Sequence, residues 1–361
     1  MPAAPRDRKG FQVAIFCASP LEAESVQNVF DICWEDRDKK YGKAAGDQNT
    51  YTTGLIGKYN VVLVHMPSEG NTSAALAAAG LRSSFLGVQL ALAVGTCAVT
   101  PMDNATKKDI FLGDVIISTA MVQYDFGRQY PTGFLRKKGI EDSLGPANPE
   151  TRSFMNMLRT SQGRNRLHRG LDQLMHSRDF RNKFPTAIHP GMAHDRLYEA
   201  VYVHQHRSTV TCDKCPTGLG TCSSSCEELR CEDDRLVTRG PRDRDVKRQE
   251  ADGHHTPCIH LGRFGSANTE LKSGLDRDRI ATADELIAFE MEGAGIWEQY
   301  PTIVIKSAST YADSHTNRGW QPYAAATAAA CMKVFLKRWI IADPSPHEGL
   351  PLHSSYGSKK L

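Results

Sequence analysis

Two carboxylates one residue apart, Glu290 and Glu292, follow the apolar residues Ile287-Ala288-Phe289, with Met291 between them. A carboxylate accepts hydrogen bonds in bidentate fashion, so such a pair suits the grip of adjacent hydroxyls on a ligand. An equally weighted reading makes one of them a helix N-terminal carboxylate held by the helix dipole. Three further segments put polar groups behind apolar runs: Ser19 to Glu22, Gly95-Thr96-Cys97, and Ser309 to Asp313. Ligands of open α/β sheets bind at the carboxyl ends of strands, so these four segments can share one pocket. The second chemical cluster is sulfur, Cys212, Cys215, Cys222, Cys226 and Cys231, preceded by His204 and His206. One Cys-x-x-Cys with further cysteines meets the ligand count of a tetrahedral structural zinc, on Cys212, Cys215, Cys222 and Cys226. Loose thiols or a disulfide is the competing reading, and a closed zinc site would staple the chain without reacting.

The elements that must position these groups are visible as a pattern. Apolar runs at 11–18, 61–64, 90–94 and 114–118, and again at 287–289 and 302–305, read as strands buried on both faces. Helices are expected behind Ser19-Pro20, which reads as N-cap and first helical residue, and over Ser73 to Phe85, Glu292 to Glu298 and Tyr323 to Ile340. Strands alternating with helices predict an α/β fold, a single domain with a mixed central sheet flanked by helices. The expected domain runs over 11–342. It is interrupted at 150–256 by a charged, Cys-containing insertion, Arg-rich and poor in aliphatic clusters, and flanked by flexible tails at 1–10 and 343–361.

Composition narrows the function classes. The chain has 361 residues, 40% hydrophobic and 24% charged, with 44 Lys and Arg against 41 Asp and Glu. A net charge of +3 is too small to argue for nucleic acid or an anionic membrane, so a small-molecule ligand is expected. Absence of a long apolar run or a signal-like N-terminus predicts a cytoplasmic protein with ten mostly reduced cysteines. There is no phosphate loop and no Gly-x-Gly-x-x-Gly behind a strand, which argues against an NTPase or a dinucleotide enzyme.

The run Phe289-Glu290-Met291-Glu292-Gly293-Ala294-Gly295 resembles the ribose-binding signature of the purine nucleoside phosphorylase and methylthioadenosine/S-adenosylhomocysteine nucleosidase superfamily, most closely its fungal branch. Residues 47–54, 113–118, 122–130, 272–280 and 311–315 extend the resemblance to roughly 11–340. It implies cleavage of an N-glycosidic bond without a catalytic cofactor, in a homo-oligomer. Met291 and Glu292 would hold the sugar, and Glu22 would orient the attacking water. Thr96, Cys97, Tyr124, Phe126, Phe264, Ser266, Phe289 and Glu290 would complete the substrate site.

Departures from the family pattern fall at the same place. Thr310 stands where the family has the aspartate that protonates the departing purine, and a threonine hydroxyl is no general acid near neutral pH. Asp313 either supplies that acid from one turn away or fixes the following loop. Gly95-Thr96-Cys97-Ala98-Val99, Phe264-Gly265-Ser266-Ala267-Asn268 and Pro67-Ser68-Glu69-Gly70-Asn71 all replace more glycine-rich family segments. Ala93 stands where phosphorylases carry a phosphate-binding arginine, although Arg82 or Arg128 could substitute. The leading expectation is a nucleosidase-like hydrolase acting on a purine nucleoside or related N-glycoside. A repurposed enzyme of fungal secondary metabolism, a non-catalytic nucleoside-binding sensor and a phosphate-dependent phosphorylase are the alternatives. A chain stopping near residue 361 without repeats or an NTPase region counts against the sensor.

Overall fold

A computed structural model describes residues 2–206, 222, 224–240, 255–315 and 317–341. A nine-stranded sheet forms its centre. In chain order the strands are β1 (Val13–Cys17), β2 (Ile32–Cys33), β3 (Thr50–Ile56), β4 (Tyr59–His65), β5 (Leu90–Val99), β6 (Val115–Gln123), β7 (Ile259–Ser266), β8 (Leu286–Glu290) and β9 (Thr302–Thr310). Across the sheet they run β8-β7-β6-β9-β5-β1-β4-β3-β2. β1 pairs in parallel with β4 and β5, β9 in parallel with β5 but antiparallel with β6, and β3 antiparallel with β4, so the sheet is mixed as expected.

One extra pairing gives the site its shape. β5 is long enough to bend past its parallel neighbours and meet the far strand β8 antiparallel, Ala288 opposite Val99 and Phe289 opposite Ala98. β5, β9, β6, β7 and β8 therefore close into a ring, and the carboxyl ends of β5, β8 and β9 come together. β3 and β7 were not legible as apolar runs: Thr50-Tyr51-Thr52-Thr53-Gly54 and His260-Leu261-Gly262-Arg263 are too polar or too glycine-rich for a doubly buried strand.

Helices cover both faces. On one side lie α1 (Pro20–Asn28), α3 (Pro149–Arg159), α4 (Ser161–Met175), α5 (Arg178–Lys183) and α8 (Gln321–Leu336); on the other, α2 (Asn71–Ser84) and α7 (Gly293–Trp297). The remaining helix, α6 (Gly274–Asp284), packs on β8. Alanine-rich α8 is buried along nearly its whole length, which lets it lie close to β5 and β9.

The stretch 150–256 is not one uniform excursion. Its first third forms α3, α4 and α5, and Met155, Leu158, Leu167, Leu171, Phe180 and Phe184 join the same core cluster as β1 and α8. Helical spacing puts these apolar residues on one face while arginines take the other, so a count of aliphatic clusters along the sequence understates the burial. The part that stands outside the main core is smaller: Tyr198, Tyr202, Cys222, Leu229 and Cys231 make their own cluster. Among the described residues no helix is long and apolar enough to cross a membrane.

Candidate active site

The site begins at the end of β1. Ser19 caps α1 by accepting from the Glu22 amide at 3.4 Å, and Glu22 Oε2 accepts from the amides of Ala18 and Ser19 at 3.0 and 3.2 Å. This reciprocal arrangement is a capping box, and the spacing Ser19-x-x-Glu22 announces it. The other oxygen, Oε1, leaves the helix and accepts from the Thr96 amide at 2.7 Å and the Thr96 hydroxyl at 3.2 Å. Gly95 permits that approach, since a Cβ there would run into Glu22 Oε1. Four donors thus fix one carboxylate between β1 and β5, and it serves both as helix cap and as pocket wall.

The second wall comes from the turn between β8 and α7. Glu290 accepts from the amides of Glu292 and Gly293 at 2.8–3.0 Å, which makes it the N-terminal carboxylate of the pair. Glu292 turns the other way, and its Oε2 receives the ammonium of Lys306 at 2.5 Å. Lys306 Nζ also lies 3.5 Å from Glu290 Oε2. Burial alone would push the Lys306 pKa down, but Glu292, Glu290 and Glu22 more than reverse it and hold it above its ordinary value. Burial drives the Glu290 pKa up, with Lys306 opposing. The two glycines of the signature have steric roles. A Cβ on Gly293 would press on Met121 and Glu290, and one on Gly295 would strike the Asn71 backbone carbonyl where α7 crosses α2.

Glu22, Thr96, Cys97, Tyr124, Phe289, Glu290, Met291, Glu292 and Thr310 all line one cavity of about 160 Å3. Tyr124 stands edge-on to Phe289 at 5.8 Å and forms its aromatic side. Cys97 is buried, and desolvation pushes its thiol pKa up, which disfavours the thiolate. Four of the expected residues are not on the cavity surface. Phe264 and Ser266 lie wholly buried behind it, and Ser266 ties α2 to α7 by donating to Asn71 Oδ1 at 2.8 Å and accepting from the Ala294 amide at 3.2 Å. Phe126 is 42% exposed and carries the Lys137 ammonium over its ring. Asp313 does not line the cavity and accepts from the His315 amide at 2.9 Å, so its contacts are those of a loop fastener; burial pushes its pKa up to about 6.

Lys306 and Glu270 line the cavity and were not singled out from the sequence, whereas Ser309 and Glu69, also on its wall, lie in segments that were. Lys306 had a signal: a lysine continuing the apolar run Ile303-Val304-Ile305 must find a partner to be buried. Glu69 has a raised pKa, from burial first and then from Glu292, Glu22 and Glu270. Around the cavity, among the described residues, five carboxylates (Glu22, Glu69, Glu270, Glu290, Glu292) face one cation, Lys306. Neither Arg82, which donates to the Gln299 carbonyl, nor Arg128 lines it. Of the expected sulfur ligands, Cys222 and Cys226 are described, whereas Cys212 and Cys215 lie outside the described residues.

The fold and the pocket define an α/β protein with a polar, carboxylate-rich cavity at converging strand ends. The family model described as the phosphorylase superfamily matches residues 12–177, a span that includes α3 and α4. That match covers less than half of the chain, and over the remainder the likeness to solved structures is one of fold. Among solved structures the chain is similar to the 5'-methylthioadenosine/S-adenosylhomocysteine nucleosidase of Neisseria meningitidis in complex with methylthio-immucillin-A, with a TM-score of 0.51 and 13% identity over 90% of this chain and 98% of that one. It is equally similar to the Streptococcus pneumoniae MTA/SAH nucleosidase in complex with 8-aminoadenine, with a TM-score of 0.51 and 16% identity over 91% and 99%. A nucleotide-binding leucine-rich repeat (NLR)-like protein of Hyaloscypha variabilis is 25% identical over 333 residues, 90% of this chain. The chain spans only 29% of the length of that relative.

Proposed function

We propose that the protein is a nucleosidase-like hydrolase that cleaves the N-glycosidic bond of a nucleoside or a related N-glycoside. The observation that carries this reading is Glu22, a buried carboxylate oriented by four donors and facing Glu292 and Met291 across the cavity. In the proposed step a water attacks the anomeric carbon, its proton passes to Glu22, and the C–N bond breaks with the electron pair leaving on the base. Glu292, paired with Lys306, accepts from the sugar hydroxyls, and Tyr124 with Phe289 faces the base. Hydrolysis is favoured over phosphorolysis by charge: a phosphate dianion would enter a cavity where, among the described residues, carboxylates outnumber cations five to one. A developing oxocarbenium ion is stabilised by the same surroundings.

A second reading, ligand binding without turnover, is favoured by Thr310 on the cavity wall, where a base-protonating acid is expected. The two are separated by incubating the protein with adenosine, inosine, guanosine and methylthioadenosine, with and without phosphate, and measuring free base. Release that needs no phosphate and disappears in Glu22→Gln supports hydrolysis. Binding of a nucleoside without release, followed by release in Thr310→Asp, supports a silenced site. Release only with phosphate, or neither binding nor release with any of the four, refutes the proposal.

A further inference from the structure

Beyond the candidate active site, side chains from two distant parts of the chain meet at a point the sulfur spacing did not suggest. His204, Cys231 and His315 each turn one ligand atom inward, all within 4.8 Å of one another, and all three are buried. His204 Nε2 lies 2.6 Å from the Ser224 carbonyl, a contact that places the proton on Nε2 and leaves the Nδ1 lone pair facing inward. That Nδ1 stands 3.2 Å from Cys231 Sγ and 3.8 Å from Cys226 Sγ. Zn–N and Zn–S bonds of about 2.0 and 2.3 Å at tetrahedral angles separate nitrogen from sulfur by about 3.5 Å, midway between those two distances. The Cys226 and Cys231 thiols are not joined in a disulfide. Cys231 is turned back toward Cys226 by its amide, which donates to the Cys226 carbonyl at 2.9 Å. The His315 ring is held by stacking on Tyr198 at 4.1 Å and Tyr202 at 5.4 Å.

We infer that His204, Cys226, Cys231 and His315 form a zinc site of the Cys2His2 type. Two thiols would lose their protons on binding, and the resulting thiolates balance the charge of the divalent ion. Cys222 is not needed for this set; its sulfur lies 3.5 Å from His206 Nε2. The consequence lies in where the ligands come from. His204, Cys226 and Cys231 belong to the Cys-bearing segment, whereas His315 sits five residues beyond Thr310, next to Ser314, whose hydroxyl accepts from the His204 amide at 2.9 Å. The ion would pin that segment to the loop following β9. It would thereby fix the wall of a second cavity, of about 530 Å3, which holds His204, Cys226 and His315 and shares Ser309 and Thr310 with the first.

The test is metal content of the full chain, purified with zinc and dialysed free of loose ions. Roughly one zinc per chain is expected, falling at least tenfold in Cys226→Ser, Cys231→Ser and His315→Ala and unchanged in the Cys212→Ser/Cys215→Ser double variant. Should the ligand variants fail to fold, cobalt substitution of the unaltered protein decides, since tetrahedral d–d bands with thiolate charge transfer are expected. Absence of stoichiometric zinc, retention of zinc in Cys231→Ser, its loss in the Cys212/Cys215 variant, or an octahedral cobalt spectrum would each overturn the site.

Discussion

Replacing Lys306 with methionine keeps the length of the side chain and removes the one cation that lines the candidate active site among the described residues. In the native protein its ammonium lies 2.5 Å from Glu292 and 3.5 Å from Glu290, all three side chains buried. At an effective dielectric of about 20 these attractions are worth about 7 and 5 kcal/mol gross, most of it offset by desolvation of the three charges. The net loss when one partner of a buried pair is removed is about 3–5 kcal/mol, because the remaining charges stay buried and uncompensated. The loss has a defined pH dependence. Without Lys306 the folded-state pKa of Glu290, which burial already raises, climbs further above the unfolded value of about 4.3, so the folded variant binds more protons than the unfolded chain. Its stability relative to the parent should be least impaired near pH 4–5 and decline as pH rises through the elevated folded value. Urea denaturation of both proteins at pH 5 and pH 8 measures this, and Glu292→Gln added to Lys306→Met should recover part of the deficit at pH 8. A deficit below about 1 kcal/mol that is flat in pH would refute the ionic reading of the cavity.

Three shorter predictions follow from the same geometry. Glu22→Gln should lower base release by about 10²–10⁴-fold, the usual contribution of a positioned base, and should also cost about 1–3 kcal/mol in thermal unfolding because the amide NH2 must face one of the two donor pairs. Unchanged turnover in a folded Glu22→Gln protein would remove that residue from the chemistry. Thr310→Asp should raise base release, measured as free purine over time, and an unaltered rate would show that the acid is supplied from elsewhere. Gly295→Ala should destabilise by about 1–3 kcal/mol, since the new methyl meets the Asn71 carbonyl between α7 and α2; a native melting temperature would disprove that close approach.

How much of this was legible in the sequence depended on whether a single local rule sufficed. The strand ends carrying Glu22, Thr96 and Glu290 were readable because apolar runs followed by polar turns mark buried parallel strands. The choice between the two carboxylates at 290 and 292 was not, because both fit a helix start; only the backbone shows Glu290 taking the amides and Glu292 the lysine. Phe264 and Ser266 fell on the wrong side of their strand for substrate contact, an orientation that alternates with every residue and that a glycine-rich β7 does not declare. The histidine-cysteine cluster was hidden for a different reason. Sequence spacing groups Cys212 with Cys215, whereas His204, Cys231 and His315 become neighbours only once β9 is set in the sheet.

The pairing of β5 with β8 has one more consequence, for how the domain tolerates change. A ring of five strands has no loose hem at that end, so the parallel registration of β6 with β7 is held from both sides by β9 and β8 and does not depend on the chain that connects them. That connection runs over residues 124–258 and contains α3, α4, α5 and the Cys-bearing segment. Lengthening a connection whose ends are already anchored costs little, since closure entropy grows only with the logarithm of its length. The ring therefore acts as a chassis, free to accept cargo between β6 and β7 while the walls built by Glu22, Glu292 and Lys306 stay where they are.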